Sequence, residues 1–146
     1  MRRGWSSSAR RLASRDGARA AEAAAYLALA RAAVLALPFP VLSKRLGVLR
    51  AETPAAAPID PASYRVGSAI GAAARRVPWR SECLEQAIAA KAMLRRRGVP
   101  STLYLGMTKD PIQAHAWVRV GTLHVTGGQD VGRYAVVASF ADLERR

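Results

Sequence analysis

Cys83 and His115 are the two residues whose types and positions suit nucleophilic chemistry. Cys83 is the single cysteine of the chain, and it falls in the first turn of a helix predicted over 82–97. Unpaired N–H groups and the positive end of the helix dipole in that turn favour a thiolate and could stabilise an oxyanion. His115 begins a predicted strand and could take the thiol proton and return it to a leaving group. The pair therefore predicts the chemistry of a thiol hydrolase.

A third group is needed to orient the imidazole. Asp130 follows a double-glycine bend after His115 and can return toward the histidine, so we predict Asp130 for this role. Gln129 is an open alternative, and Asp130 could instead serve only to form a turn. Asp142 and Glu144 lie at the charged C-terminal end, where we expect them to be solvated.

Each of these residues also has an interpretation without chemistry. Cys83 could be a buried structural cysteine, which is a common fate of a free thiol. His115 could be a strand-end histidine that a backbone carbonyl satisfies. His124, between Leu123 and Val125, is interpreted as an ordinary sheet histidine. Only the packing of the helix on the sheet can distinguish these interpretations.

The charge of the chain limits its partners. The 146 residues are enough for one domain, and the formal net charge is +13. Such a charge suits a nucleic acid backbone or an acidic peptide or protein, but abundant arginine and alanine also accompany a GC-rich genome. The arginines are spread along the chain, without aromatic interleaving, a helix-turn-helix or a metal motif. We therefore expect no nucleic acid partner, and nucleic acid binding is the less favoured alternative.

The cysteine count and the N-terminal sequence pattern indicate where in the cell the protein is located. A single cysteine excludes an internal disulfide and a cysteine-rich zinc site, and it suits a reducing, cytoplasmic location. The apolar stretch 23–37 contains Arg31 and follows Asp16 and Glu22, so neither a signal peptide nor a membrane-spanning helix is predicted. We expect no cofactor.

The chain divides into three predicted parts. Residues 1–17 are predicted to be a disordered basic tail, 18–62 a helical segment with a Pro/Ala linker, and 63–146 the domain that carries Cys83. Helices are predicted over 18–37, 64–76 and 82–97, with a marginally helical stretch over 41–49. Ser81 is the expected cap of the third helix, and Lys91 is expected on its solvent side.

Strands follow the third helix, over 102–107, 115–120, 123–126 and 134–140. In the second strand, His115, Trp117 and Arg119 are predicted to face one way and Ala116 and Val118 the other. A helix followed by an antiparallel sheet is typical of the α+β class.

Several stretches of the second half resemble a known family in order and spacing. They are Cys83-Leu84, 94–100, 103–106, 114–118 and Gly127-Gly128-Gln129-Asp130 ahead of Tyr134 and Phe140. With them, residues 76–140 resemble the transglutaminase-like cysteine peptidase that processes lasso-peptide precursors, the peptidase part of the microcin-processing B protein family.

This resemblance implies a transglutaminase-like or papain-like fold and a Cys-His-Asp triad carried by Cys83, His115 and Asp130. It implies removal of the leader from a ribosomally made precursor, so that a lasso cyclase can close the ring. The implied partners are the precursor's leader, a small leader-binding recognition protein and that cyclase. Two departures are Arg119, where many relatives have Glu, and the short turn at Gly121. Transfer of the acyl group to an amine stays an alternative, because it shares the thioester.

Overall fold

The computed structural model describes residues 3–143, which form helices and one sheet. The α-helices are α1 (Arg3–Ala36), α2 (Phe39–Ser43), α3 (Pro61–Ala74) and α4 (Cys83–Arg96). The strands are β1 (Val48–Leu49), β2 (Thr102–Met107), β3 (Ala114–Val120), β4 (Leu123–Thr126) and β5 (Ala135–Ala141), and a 3-10 helix at Val131–Arg133 precedes β5. The predicted α+β class is confirmed.

The strands form one antiparallel sheet in the order β1-β5-β2-β3-β4. The order places β2 at the centre, between β5 and the β3–β4 hairpin. The prediction of a marginal helix over 41–49 is wrong in its second half, because Val48 and Leu49 pair with Ala141 and Phe140. A strand of two residues is too short to leave a periodic pattern in the sequence.

The longer helices share one core with a single face of the sheet. Asp60 fixes the start of α3, because its side chain accepts a hydrogen bond from the Ala62 N–H at 2.8 Å and Pro61 occupies the first turn. The core joins apolar residues of α1, α3, α4 and the sheet, among them Ala23, Leu27, Ile70, Ala90, Met93, Leu103, Val118 and Phe140.

The N-terminal residues differ from the prediction. Helix α1 begins at Arg3, so residues 3–17 are helical rather than a disordered tail, whereas Met1 and Arg2 lie outside the described residues. The physical reason is that alanine and arginine are good helix formers and no proline occurs before Pro38. None of the described helices combines the length and apolarity needed to span a membrane.

The predicted boundary at residues 62 and 63 does not separate two cores. Helix α1 contacts both α3 and α4, and its Leu27 is fully buried in the common core. Arg97, just after α4, binds Glu22 of α1 through two hydrogen bonds of 2.9 and 2.8 Å. The helical segment therefore folds against the sheet-bearing part as one unit.

Lys91 corrects another prediction, since it is buried rather than solvated. Its side chain is 1% exposed, and its ammonium group donates to the Ser101 carbonyl at 2.7 Å and to Asp142 at 3.0 Å. Asp142, expected in solvent, is therefore also an internal partner. The reason is that α4 contacts α1 on one side and the sheet on the other, so little of its surface faces water.

Candidate active site

Cys83 is the first residue of α4, and it is half-buried at the margin of the core. The prediction that Ser81 caps this helix is wrong, because Glu82 occupies the cap position and no side chain caps the helix there. The hydroxyl of Ser81 is buried without a hydrogen-bond partner in the described part of the chain. The first-turn N–H groups therefore have no side-chain acceptor, which leaves them available to an anion beside Cys83.

His115 is the second residue of β3, and aromatic rings hold its imidazole on two sides. The ring centroid lies 5.7 Å from that of Trp117 and 4.9 Å from that of Tyr134. Its Nε2 atom lies 2.6 Å from the carbonyl oxygen of Gly127. Because a carbonyl can only accept, Nε2 must carry the proton when the ring is neutral, and the lone pair then lies on Nδ1. A free Nδ1 lone pair is what a general base needs.

Gly127 makes this contact possible because it has no side chain. Its φ of +66° is a left-handed backbone conformation that L side chains rarely adopt. A Cβ atom there would lie 2.5 Å from the Ala116 carbonyl oxygen and 3.2 Å from His115 Nε2. The close approach of the carbonyl to the imidazole therefore depends on glycine at this position.

The structure shows no hydrogen bond between the side chain of Asp130 and the ring of His115, so the role of Asp130 stays a prediction. The hydrogen bond that the ring of His115 makes goes to the Gly127 carbonyl and not to Asp130. Asp130 is exposed, has φ of +56° and begins the 3-10 helix without a side-chain cap bond. The chain after β4 reaches the ring at Gly127, before it arrives at Asp130.

Gln129 and Asp142, the other acceptors considered within residues 3–143, make no hydrogen bond to the His115 ring. Gln129 is exposed, and the Asp142 carboxylate binds Lys91 and Arg95. Glu144 lies outside the described residues. Sequence reasoning missed the Gly127 carbonyl because a backbone acceptor has no residue type of its own, and the glycine pair was the only signal.

The predicted facing of β3 is confirmed. Ala116 and Val118 belong to the core, whereas His115 and Trp117 stack on the other face. Trp117 also stacks on Tyr104 of β2, with ring centroids 5.4 Å apart.

Arg119 lies next to the layer of stacked rings that His115, Trp117 and Tyr104 form on this face of the sheet. It donates hydrogen bonds to the Tyr104 hydroxyl at 2.9 Å and to the carbonyls of Gly121 and Thr53 at 2.7 Å. Burial raises the pKa of Tyr104, while Arg119 opposes that shift. Since all three nitrogens of Arg119 are engaged internally, it supports the layer beneath His115 instead of facing a substrate.

Helix α4 packs across β3, so the element carrying Cys83 and the element carrying His115 are neighbours. Within residues 3–143, no hydrogen bond joins the Cys83 thiol to His115, whose Nε2 is bound to Gly127. The strand places the His115 ring on the face opposite to the core that α4 shares, so the structure shows neighbouring elements and not a formed cysteine–histidine pair.

His124 is exposed on β4, which agrees with its interpretation as an ordinary sheet histidine.

The described residues contain no group of three His, Cys, Asp or Glu side chains able to hold a metal. A cavity of about 410 Å³, lined by residues that include Thr53, Val99 and Val120, lies at the opposite end of β3 from His115. The chemistry-bearing residues therefore lie at the end where β3 begins.

Comparison with known proteins assigns the family. The family model described as the transglutaminase-like superfamily matches residues 26–139, which is most of the chain. The chain therefore belongs to the transglutaminase-like superfamily, whose members typically act through a catalytic cysteine. No significantly similar protein was found among the curated proteins, and none was found among the solved structures. The match begins inside α1, which agrees with the packing of that helix into the common core.

Proposed function

We propose that this chain is a cysteine endopeptidase that removes the leader from a lasso-peptide precursor. The observation that carries the proposal is the fixed imidazole of His115. Stacking on Trp117, the tilted ring of Tyr134 and the bond from Nε2 to Gly127 hold the ring, and Nδ1 makes no hydrogen bond to the described residues; helix α4 contacts the strand that carries this ring. The family match supports cysteine chemistry in general, and the stretches that resemble leader peptidases support the finer assignment.

The proposed reaction proceeds through a thioester. The Cys83 sulfur attacks the carbonyl carbon at the leader–core junction while its proton passes to His115 Nδ1. The oxyanion forms beside the uncapped first-turn N–H groups of α4, and His115 then protonates the leaving amine. Water attacks the thioester, losing its proton to His115, and the thiol is restored as the new carboxylate leaves.

The charge of the chain supports an acidic peptide or protein as partner. The net charge of +13 would attract an acidic leader or an acidic leader-binding protein and speed their encounter. A separate leader-binding protein and a lasso cyclase remain part of the proposal because of the resemblance alone. Genes for a short precursor, such a protein and a cyclase beside this one would strengthen it.

Cleavage of the precursor by purified variants tests the proposal. We expect Cys83→Ala to abolish cleavage and His115→Ala to slow it by about 10²–10⁴-fold, the range typical of a lost general base. His124→Ala is the matched control, because His124 is an exposed histidine on the neighbouring strand, and we expect a change of less than about twofold. Cleavage retained in Cys83→Ala would reject the mechanism.

The mass of the products separates hydrolysis from acyl transfer. Hydrolysis by a peptidase gives a leader and a core whose masses sum to the precursor plus one water. An acyl transferase instead gives a product joined to an added primary amine. We expect free leader and core even with an amine such as methylamine in excess, and an amine adduct as the main product would favour the transferase.

A further inference from the structure

We propose that the corner between α1 and α2 inserts into the surface of a lipid bilayer that carries anionic headgroups. The corner consists of residues 35–41, which run from the end of α1 into the first turn of α2. It contains neither Cys83 nor His115, so this inference does not depend on the proposed peptidase activity.

Every residue of the corner is apolar, and every one is exposed. Residues 35–41 read LALPFPV, and Leu35, Phe39 and Val41 are 73%, 46% and 44% exposed. A helix that lies on a core alternates buried and exposed residues, so an unbroken exposed run projects from the body of the protein. A projecting surface that is wholly apolar indicates contact with a partner or a membrane.

The main chain of the corner presents few free hydrogen-bond donors. Pro38 and Pro40 have no N–H group. The N–H of Leu37 donates to the Ala33 carbonyl at 2.9 Å. That of Val41 donates to the Pro38 carbonyl at 3.0 Å. Because lipid offers no partner to a free N–H group, these features favour a bilayer over a protein, which can supply acceptors of its own.

Cations without acidic neighbours lie beside the corner. Lys44 and Arg45 directly follow α2 and are exposed, and Arg45 lines the same cavity as Leu37 of the corner. Residues 23–51 contain no aspartate or glutamate. Neither Lys44 nor Arg45 forms an ion pair with an acidic side chain of residues 3–143. An apolar tip beside available cations matches a membrane surface, where anionic headgroups cover an apolar interior.

Sedimentation of the full chain with lipid vesicles tests the proposal. One set of vesicles is phosphatidylcholine alone, and the other also contains about 30% phosphatidylglycerol. We expect the protein to sediment with the anionic vesicles and to stay largely in solution with the neutral ones. We expect Leu35→Ser/Phe39→Ser to lower the partition coefficient onto the anionic vesicles by about tenfold or more. Wild type that stays in solution with the anionic vesicles overturns the proposal.

Two further variants separate insertion from simple attraction of charge. Ile112→Ser/Val137→Ser is the matched control, because these apolar residues outside the corner are 74% and 60% exposed. We expect its binding to stay within about twofold of wild type. We expect Lys44→Gln/Arg45→Gln to lose about fivefold per cation removed, at low salt. Binding that depends on the cations but not on the apolar side chains of the corner overturns insertion.

Two measurements distinguish a bilayer from a second copy of the chain as the partner of the corner. Sedimentation velocity without lipid should give the same monomer for wild type and Leu35→Ser/Phe39→Ser. A wild-type dimer that this variant dissociates would assign the corner to self-association and overturn the proposal. In Phe39→Trp, we expect brominated lipid to quench more tryptophan fluorescence than in wild type. Quenching equal to that of wild type would place residue 39 outside the bilayer and likewise overturn the proposal.

Discussion

Lys91 and Asp142 form a buried ion pair, with Nζ 3.0 Å from Oδ2. The pair ties α4, the helix that begins with Cys83, to the residue that follows β5. Burial lowers the pKa of Lys91 to about 8, although the nearby Asp142 carboxylate acts in the opposite direction. The loss of hydration thus outweighs the attraction between the two charges, as is common for ion pairs taken out of water.

The two partners of this ion pair should respond unequally to substitution. Asp142→Asn leaves the Lys91 ammonium buried without an anion, and we expect it to lower the free energy of unfolding by about 3 kcal/mol. Lys91→Met leaves Asp142 bound to Arg95, whose Nε lies 2.7 Å from Oδ1, and we expect a loss below about 1 kcal/mol. Urea unfolding measures both changes, with Lys109→Met as an exposed control. Equal losses in the two variants would contradict this account.

Lys91 also predicts a pH dependence of stability. Its pKa is about 8 in the folded protein, against the usual 10.5 of a free lysine side chain. Between these values the unfolded chain binds the proton and the folded chain does not, so this group makes the free energy of unfolding rise with pH. We expect wild type to gain about 1 kcal/mol per pH unit over Lys91→Met from about pH 8 to about pH 10. If the free energy of unfolding of Lys91→Met instead rose relative to wild type between about pH 8 and about pH 10, the pKa of Lys91 would be raised in the folded protein, and this account would be wrong.

The ion pair between Glu22 and Arg97 predicts that the free energy of unfolding depends on pH in the acid range. Hydrogen bonding to Arg97 lowers the pKa of Glu22 below its usual value of 4.5. The stabilisation is present above that value and is lost as pH falls through the lower pKa of the folded state. We expect Glu22→Gln to lower the free energy of unfolding by about 1 kcal/mol at neutral pH, with the difference closing below about pH 4. Denaturant unfolding across this range checks it, and a difference independent of pH would refute the role of the charge.

Two glycines that lie in helices should respond in opposite ways to replacement by alanine, one losing stability and the other gaining it. A Cβ atom on Gly67 of α3 would lie 2.7 Å from the Val125 carbonyl oxygen of β4, so Gly67→Ala must push the helix from the sheet. We expect a loss of about 1–3 kcal/mol in the free energy of unfolding. Gly17 of α1 has nothing within 4 Å of its Cβ position, and Gly17→Ala should stabilise the protein by up to about 1 kcal/mol. Thermal unfolding of both variants measures the contrast, and stabilisation by Gly67→Ala would be inconsistent with this packing.

Local patterns predicted most of the second half. The largely apolar run 102–107 and the alternation after His115 define β2 and β3, and the predicted strand at 123–126 agrees with β4 residue for residue. These predictions succeed because a strand or an amphipathic helix leaves its period in neighbouring residues. The prediction that Lys91 lies on the solvent side of its helix was wrong, because burial depends on which distant elements cover that helix.

The sequence by itself determined the α+β class and the two residues suited to thiol chemistry, Cys83 and His115, since residue type and helix or strand position are local properties. Only the tertiary structure decided which group the imidazole binds. The acceptor at 2.6 Å from Nε2 is a backbone carbonyl at Gly127, and every residue carries such a carbonyl, so no residue type marks it. The bend that aims it depends on the pairing of β3 with β4 and on the space left by a missing side chain, and these arise only when the chain has folded.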